Sequence, residues 1–230
     1  MLGINMEVQK MIIMSVKEMI IFFLVGLGIG VSITVLGDKY HDNRYDEKLY
    51  SGRRDMVVCL FASLLSGTAM ILFIGYDYSV IRAVSLVILL SSLLVISKID
   101  MLHKVIPNKI LIALLLVKVL VMFIELCLYK ESFAVLVMTA LLGVFYGTVV
   151  FIVIRLFSKK SIGMGDIKLF AIIGLYIGNG SIIPALFVSS FIALIYGTIM
   201  LAKKAISKKD TMSFGPFIAA GTIIVMILGI

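Results

Sequence analysis

Apolar runs of near-membrane length recur from one end of the chain to the other, and this constrains the fold more than any single motif. Bounded by charged or turn-forming residues, they cover about 19–36, 56–75, 80–97, 107–129, 133–157, 167–178, 181–202 and 212–230. A helix needs about 20 apolar residues to cross a hydrocarbon core of roughly 30 Å, and most of these runs approach that length. The sixth ends early, at Gly178-Asn179-Gly180, and spans only if residues 165–167 already lie among the lipid headgroups. Composition agrees. The 230 residues are 62% hydrophobic and 15% charged, against about 45–50% and about 25% in a soluble domain. One soluble core cannot absorb that excess. The expected fold is an all-α polytopic membrane protein with about eight transmembrane helices, the sixth of them short.

The basic residues set the expected orientation. Lys39, Arg44, Lys48, Arg53 and Arg54 follow the first run, and Lys98, Lys104 and Lys109 follow the third. Arg155, Lys159, Lys160 and Lys168 follow the fifth, and Lys203, Lys204, Lys208 and Lys209 the seventh. The alternating connections hold only Arg82 and Lys130. Sixteen positive side chains against two predict that the four rich connections are cytoplasmic. Lys10 and Lys17 then lie outside, a minority that does not reverse the bias. The net charge of +8 is accordingly read as loops facing an anionic leaflet, and no nucleic-acid partner is expected. Residues 37–55 are the one long polar stretch, expected to be a solvated cytoplasmic loop too short for a domain. Cys59 and Cys127 lie in apolar runs without a paired spacing, so neither a disulfide framework nor a metal site is expected. Asp38-Lys39-Tyr40 follows the first run in place of a small-residue cleavage site, so that run reads as a retained helix.

Only 13 residues are acidic, and most fall in connections. Asp100 and Asp166 differ: one ends the third span, the other opens the sixth, both at the edge expected to be cytoplasmic. Ionisable groups at a membrane are costly and point to function. Two carboxyls within hydrogen-bonding reach do not both ionise readily; they share a proton and titrate as a pair. One then acts as base on a water while the other protonates the carbonyl or the leaving amine. That is aspartic-protease chemistry, which calls for no metal and no cofactor. Gly163 and Gly165 fence Asp166 without a Cβ, so a substrate backbone can approach the carboxylate. Lys168 either snorkels to the headgroups or stabilises that carboxylate. Plainer readings exist for each residue alone. Asp166 also suits an N-cap or first-turn acid, Asp100 a solvated loop acid, and Pro107 an ordinary helix start.

Taken together, three segments resemble a family. Asp100-Met-Leu-His-Lys-Val-Ile-Pro107-Asn108, Gly163-Met-Gly-Asp166-Ile-Lys168-Leu169 and Ser213-Phe214-Gly215-Pro216-Phe217 look like the type IV prepilin peptidases, GxGD-type aspartic proteases of bacterial inner membranes. The likeness runs from about residue 55 to the C-terminus, so residues 1–54 read as an N-terminal transmembrane helix and reduced loop, and 55–230 as the peptidase core. The resemblance implies that Asp100 and Asp166 are the catalytic pair. It implies that Gly163, Gly165, Lys168, Pro107, Asn108, Phe214, Gly215 and Pro216 shape the site, the last three as a turn. It also implies prepilin or pseudopilin-like substrates, cut after a Gly where a basic leader meets an apolar helix. Many members also methylate the new N-terminus with S-adenosylmethionine and carry two Cys-x-x-Cys pairs in the first cytoplasmic loop. No Cys lies in 37–55, and the usual Gly-Ser-Phe-Leu-Asn beside the first span is reduced to Gly30-Val31-Ser32-Ile33-Thr34. S-adenosylmethionine therefore enters only if methylation is retained. Archaeal preflagellin peptidases share the chemistry with a shorter layout, and presenilin-like proteases differ around the first aspartate.

Lys118 and Glu125 stand seven apart in the fourth run and so face one side. They read as a bundle-interior pair or as part of an ion pathway. The second reading belongs to a small transporter, and a non-catalytic scaffold of a pilus or secretion machine is a third alternative. Only the protease needs both carboxylates.

Overall fold

The computed structural model describes residues 16–45, 49, 53–76, 78–128, 133–157, 163–204 and 212–230. Among them are seven α-helices and no strand: α1 Val16–Tyr45, α2 Arg53–Gly75, α3 Val80–His103, α4 Asn108–Leu128, α5 Phe133–Phe157, α6 Met164–Ala202 and α7 Gly215–Leu228. The bilayer explains the uniformity, because lipid offers no partner to a backbone N–H or C=O and a helix satisfies both internally. Six of the seven are long and apolar enough to cross a membrane, and α7 is a shorter apolar helix. The protein is a multi-pass, all-α membrane protein. Lys48, Lys130, Lys159, Lys160, Lys208 and Lys209, which entered the charge count, lie outside the described residues.

Seven helices answer to eight apolar runs because α6 contains the sixth and seventh. Gly178 breaks it, with φ 77° and ψ −177° inside an otherwise helical segment. Glycine reaches that left-handed region without a Cβ penalty. A side chain built on Gly147 of α5 would meet the Phe170 carbonyl at 2.8 Å and Ile182 Cγ1 at 3.3 Å. Straight helix would set residues 170 and 182 about 18 Å apart. The chain therefore doubles back at Gly178, and α6 is a pair of antiparallel arms, 164–177 and 179–202. The first arm, at about 20 Å, is the short span expected.

The chain forms two compact units, Met1–Val95 and Ile96–Ile230. In the first, α1 lies against α2 through glycines. A Cβ at Gly26 would meet Gly67 Cα at 2.9 Å, and one at Gly30 would meet Ser63 Cα at 2.9 Å. Such close approach is how helices associate where no hydrophobic effect drives them. Ser66 and Ser91 hydroxyls pair at 2.9 Å, joining α2 to α3. The polar stretch expected as a loop from residue 37 is helical through Tyr45. One-turn pairs carry it: Arg44 donates to Tyr40 Oη at 3.0 Å, and the His41 and Tyr45 rings lie 4.8 Å apart.

In the second unit α5 and α6 meet backbone to backbone, since a Cβ on Gly143 would overlap the Gly174 carbonyl and one on Gly174 the Gly143 carbonyl. Lys118 and Glu125 of α4 do share one face with Leu111, Leu114 and Val121, and both are buried. Lys118 Nζ stands 5.5 Å from the Tyr176 ring centroid, and Tyr176 Oη donates to the Leu114 carbonyl at 2.7 Å. That ties α4 to α6 inside the bundle.

Gly143→Val should cost about 1–3 kcal/mol of stability, because backbone cannot yield as a side chain can. Gly180→Ala, with nothing within 4 Å of its Cβ, should change stability by less than about 0.5 kcal/mol. Thermal unfolding of both variants in one detergent checks the contrast.

Candidate active site

Asp100 lies on the last turn of α3. The helix ends when Lys104 takes a left-handed φ of 54° and returns its N–H to the Asp100 carbonyl at 2.8 Å. The Asp100 side chain is 4% exposed, and its Oδ2 accepts the Gly215 N–H at 2.8 Å. Gly215 opens α7, with Phe214 as N-cap and Pro216 in the first turn. Phe214-Gly215-Pro216, expected as a turn, is the start of a helix. Proline favours that position because its fixed φ suits a helix and its missing N–H would have no intrahelical partner there. A helix N-terminus welcomes an anion, since its first N–H groups are unpaired and the dipole is positive. Asp100 supplies that anion from another helix. The contact leaves no room at Gly215, where a Cβ would stand 2.7 Å from Asp100 Oδ2 and 3.0 Å from its Cβ.

Asp166 repeats the scheme on its own helix. Gly163 is the N-cap of α6, with extended φ and ψ, and provides no side-chain cap. Asp166, in the first turn, takes a backbone hydrogen bond from Gly163, the acid half of a capping box. The plainer reading of Asp166 is therefore true as local structure and compatible with a further role. Gly165 is a close approach: a Cβ there would lie 3.0 Å from Ile106 Cβ, so the segment after α3 packs on the turn that carries Asp166.

Asp100 and Asp166 line one cavity of about 780 Å³, together with Asn108, Gly163, Gly165, Lys168 and Phe214. Pro107, Gly215 and Pro216 do not line it; they support residues that do. Pro107 is buried, and its carbonyl accepts from Ile110 and Leu111 at the start of α4. Lys168 does not turn to Asp166. Its Nζ donates to Asn108 Oδ1 at 3.1 Å, linking the N-terminal ends of α6 and α4.

Lys104, Phe151, Arg155 and Ser190 are among the wall residues that sequence reasoning did not assign to the site. Lys104 and Arg155 had counted only toward orientation. Phe151 gave no polar signal, yet its ring lies 4.5 Å from Phe170 and 6.0 Å from Phe214, closing the apolar side. Ser190 arrives on the returning arm of α6, which only the reversal at Gly178 brings back to Asp166. Among the described residues, no group of three or more His, Cys, Asp or Glu side chains is gathered to hold a metal ion.

Gly215→Ala should lower the unfolding midpoint by the equivalent of about 1–3 kcal/mol. Gly163→Ala should cost less, because its Cβ would meet only the end of the Asp166 side chain, at 3.0 Å. Equal midpoints for the two variants would contradict the Asp100–Gly215 contact.

The model of the type IV leader peptidase family matches residues 87–198. Three curated proteins called prepilin leader peptidase/N-methyltransferase are similar to the chain. That of Bacillus subtilis (strain 168) is 30% identical over 181 residues, 79% of this chain and 66% of the relative. That of Pseudomonas aeruginosa is 30% identical over 184 residues, 77% of this chain and 59% of the relative. That of Xanthomonas campestris pv. campestris is 28% identical over 148 residues, 62% of this chain and 49% of the relative. The chain thus spans between about half and two thirds of the length of these relatives. No solved structure matches.

Proposed function

The chain belongs to the type IV leader peptidase family, and on that premise we propose that it is a membrane aspartic endopeptidase with Asp100 and Asp166 as its catalytic pair. One observation carries this reading above the rest. Two carboxylates, from helices far apart in sequence, stand on the wall of one cavity, each held by a backbone N–H at a helix N-terminus. A structural acid needs one such anchor, but it does not need a second acid across a cavity.

The anchors serve the chemistry. Oδ2 of Asp100 is committed to Gly215, which fixes the carboxylate plane and leaves its second oxygen for a water. In the proton-sharing pair, the ionised member takes a proton from that water as it attacks the scissile carbonyl. The protonated member gives its proton to the carbonyl oxygen, and then a proton passes to the leaving amine. The step hydrolyses one amide bond and returns the pair to its starting protonation. The glycines beside Asp166 serve internal packing instead of substrate access: Ile106 occupies the space at Gly165, and the Asp166 carboxylate that at Gly163.

The substrates in this reading are prepilin or pseudopilin-like proteins, cut after a Gly between a basic leader and an apolar helix. The active site faces the cytoplasm across the bacterial inner membrane, which the charge bias supports. The names of the relatives carry a second activity, that of an N-methyltransferase, and in this reading S-adenosylmethionine enters only if that activity is retained. The missing Cys-x-x-Cys pairs give that activity no support in this chain, and no step above depends on it.

Cleavage of a prepilin-like substrate in membranes tests the proposal. Asp100→Asn and Asp166→Asn should each lower the rate by a factor on the order of 10²–10⁴ or more, with the protein still folded. Near-normal cleavage by either variant would sink the pair and bring the scaffold or transporter readings forward.

A further inference from the structure

Beside the catalytic cavity lies a second, apolar depression of about 570 Å³. Leu111, Ile112 and Leu115 of α4 form one wall and Ala171, Ile172 and Leu175 of α6 the other, with Val144 of α5 completing the lining. Asn108 and Lys168 line both spaces, and the hydrogen bond between them makes a polar sill where cavity and groove meet. From the sill, each wall runs at i, i+3/i+4 and i+7 spacing, so each is one face of its helix, and an apolar helix can lie in a groove between two such faces. Seven residues of helix measure about 10 Å, or two turns.

The groove is apolar in its lining and shares the Lys168–Asn108 pair with the catalytic cavity, so an occupant that is apolar and joined to the bond being cut would reach both. We propose that this groove seats the first two turns of the apolar helix that follows the scissile bond, with the Lys168–Asn108 pair as the sill the extended junction crosses. The inference rests on the leader-peptidase reading above and deepens it. It gives the enzyme a way to fix the register of cleavage: a helix docked in the groove delivers its N-terminal junction to the aspartates. A soluble peptide without that helix forgoes the anchor. Leu111 and Ile172 are buried at the floor, whereas Ile112 and Leu115 are 56% and 42% exposed at the rim, ready to be covered.

Cross-linking in membranes tests it. Leu115→Cys is placed in a chain with Cys59→Ala, Cys127→Ala and Asp166→Asn, and single cysteines are scanned through the substrate's apolar segment. Leu120→Cys, also exposed but well round α4 from the groove, is the control. The proposal predicts disulfides from Leu115→Cys to substrate positions three or four residues apart within the first two turns, and only background from Leu120→Cys. Equal cross-linking at both sites overturns the groove and leaves lipid as its occupant. So does its absence at Leu115→Cys while the unmodified chain cleaves the same substrate. Failure of the unmodified chain to cleave is a separate result, and it removes the peptidase reading beneath the groove. A kinetic measurement covers misfolding of the cysteine variants. Ala171→Phe fills the groove and should raise KM by about tenfold while kcat changes little, the mark of binding lost equally from ground and transition states. A fall in kcat at unchanged KM would overturn the proposal.

Discussion

A carboxylate 4% exposed in a body built of apolar helices is the constraint on which the rest of the site depends. Burying such a group is costly unless it is hydrogen-bonded, and here the Gly215 N–H meets Asp100 across 115 residues of chain. That one bond brings the start of α7 to the end of α3. It dictates glycine at 215, because a Cβ would collide with the carboxylate. It also places Phe214 over the cavity, where its ring meets Phe151. Polar satisfaction and site geometry are the same contact.

The second carboxylate depends on how α6 is built. A straight helix of 39 residues would carry everything after Gly178 away from the site. The reversal at Gly178 folds the returning arm beside the first and brings Ser190 to the wall that Asp166 lines. The mutual approach of Gly143 and Gly174 sets how closely α5 can lie on that arm. The small residues therefore act as spacing elements for the two acids, at three separate levels of the bundle.

Much of this is legible in the sequence because the governing forces are local. Apolar runs declare helices, since lipid admits little else, and Gly178-Asn179-Gly180 marks the interruption of α6. Acids are so few that Asp100 and Asp166 stand out once the runs are drawn. What escapes is what depends on three dimensions. Nothing local in Lys168 says that it will bond to Asn108 instead of stabilising Asp166, because that choice is made where α4 and α6 begin side by side. Phe151 and Ser190 sit in apolar runs like dozens of others, and only helix packing makes them wall residues. The length of α1 is missed for another reason: the side-chain pairs of Tyr40 with Arg44 and His41 with Tyr45 sustain a helix beyond its apolar stretch.

If Asp100 and Asp166 work as one proton-sharing pair, the pH dependence of kcat/KM for the unmodified chain carries their signature. With both carboxyls protonated there is no base, and with both ionised there is no acid. The expected profile is a bell, with activity lost on the acid side and on the alkaline side of a single maximum. A sigmoid that loses one limb and holds its plateau through the other would contradict it.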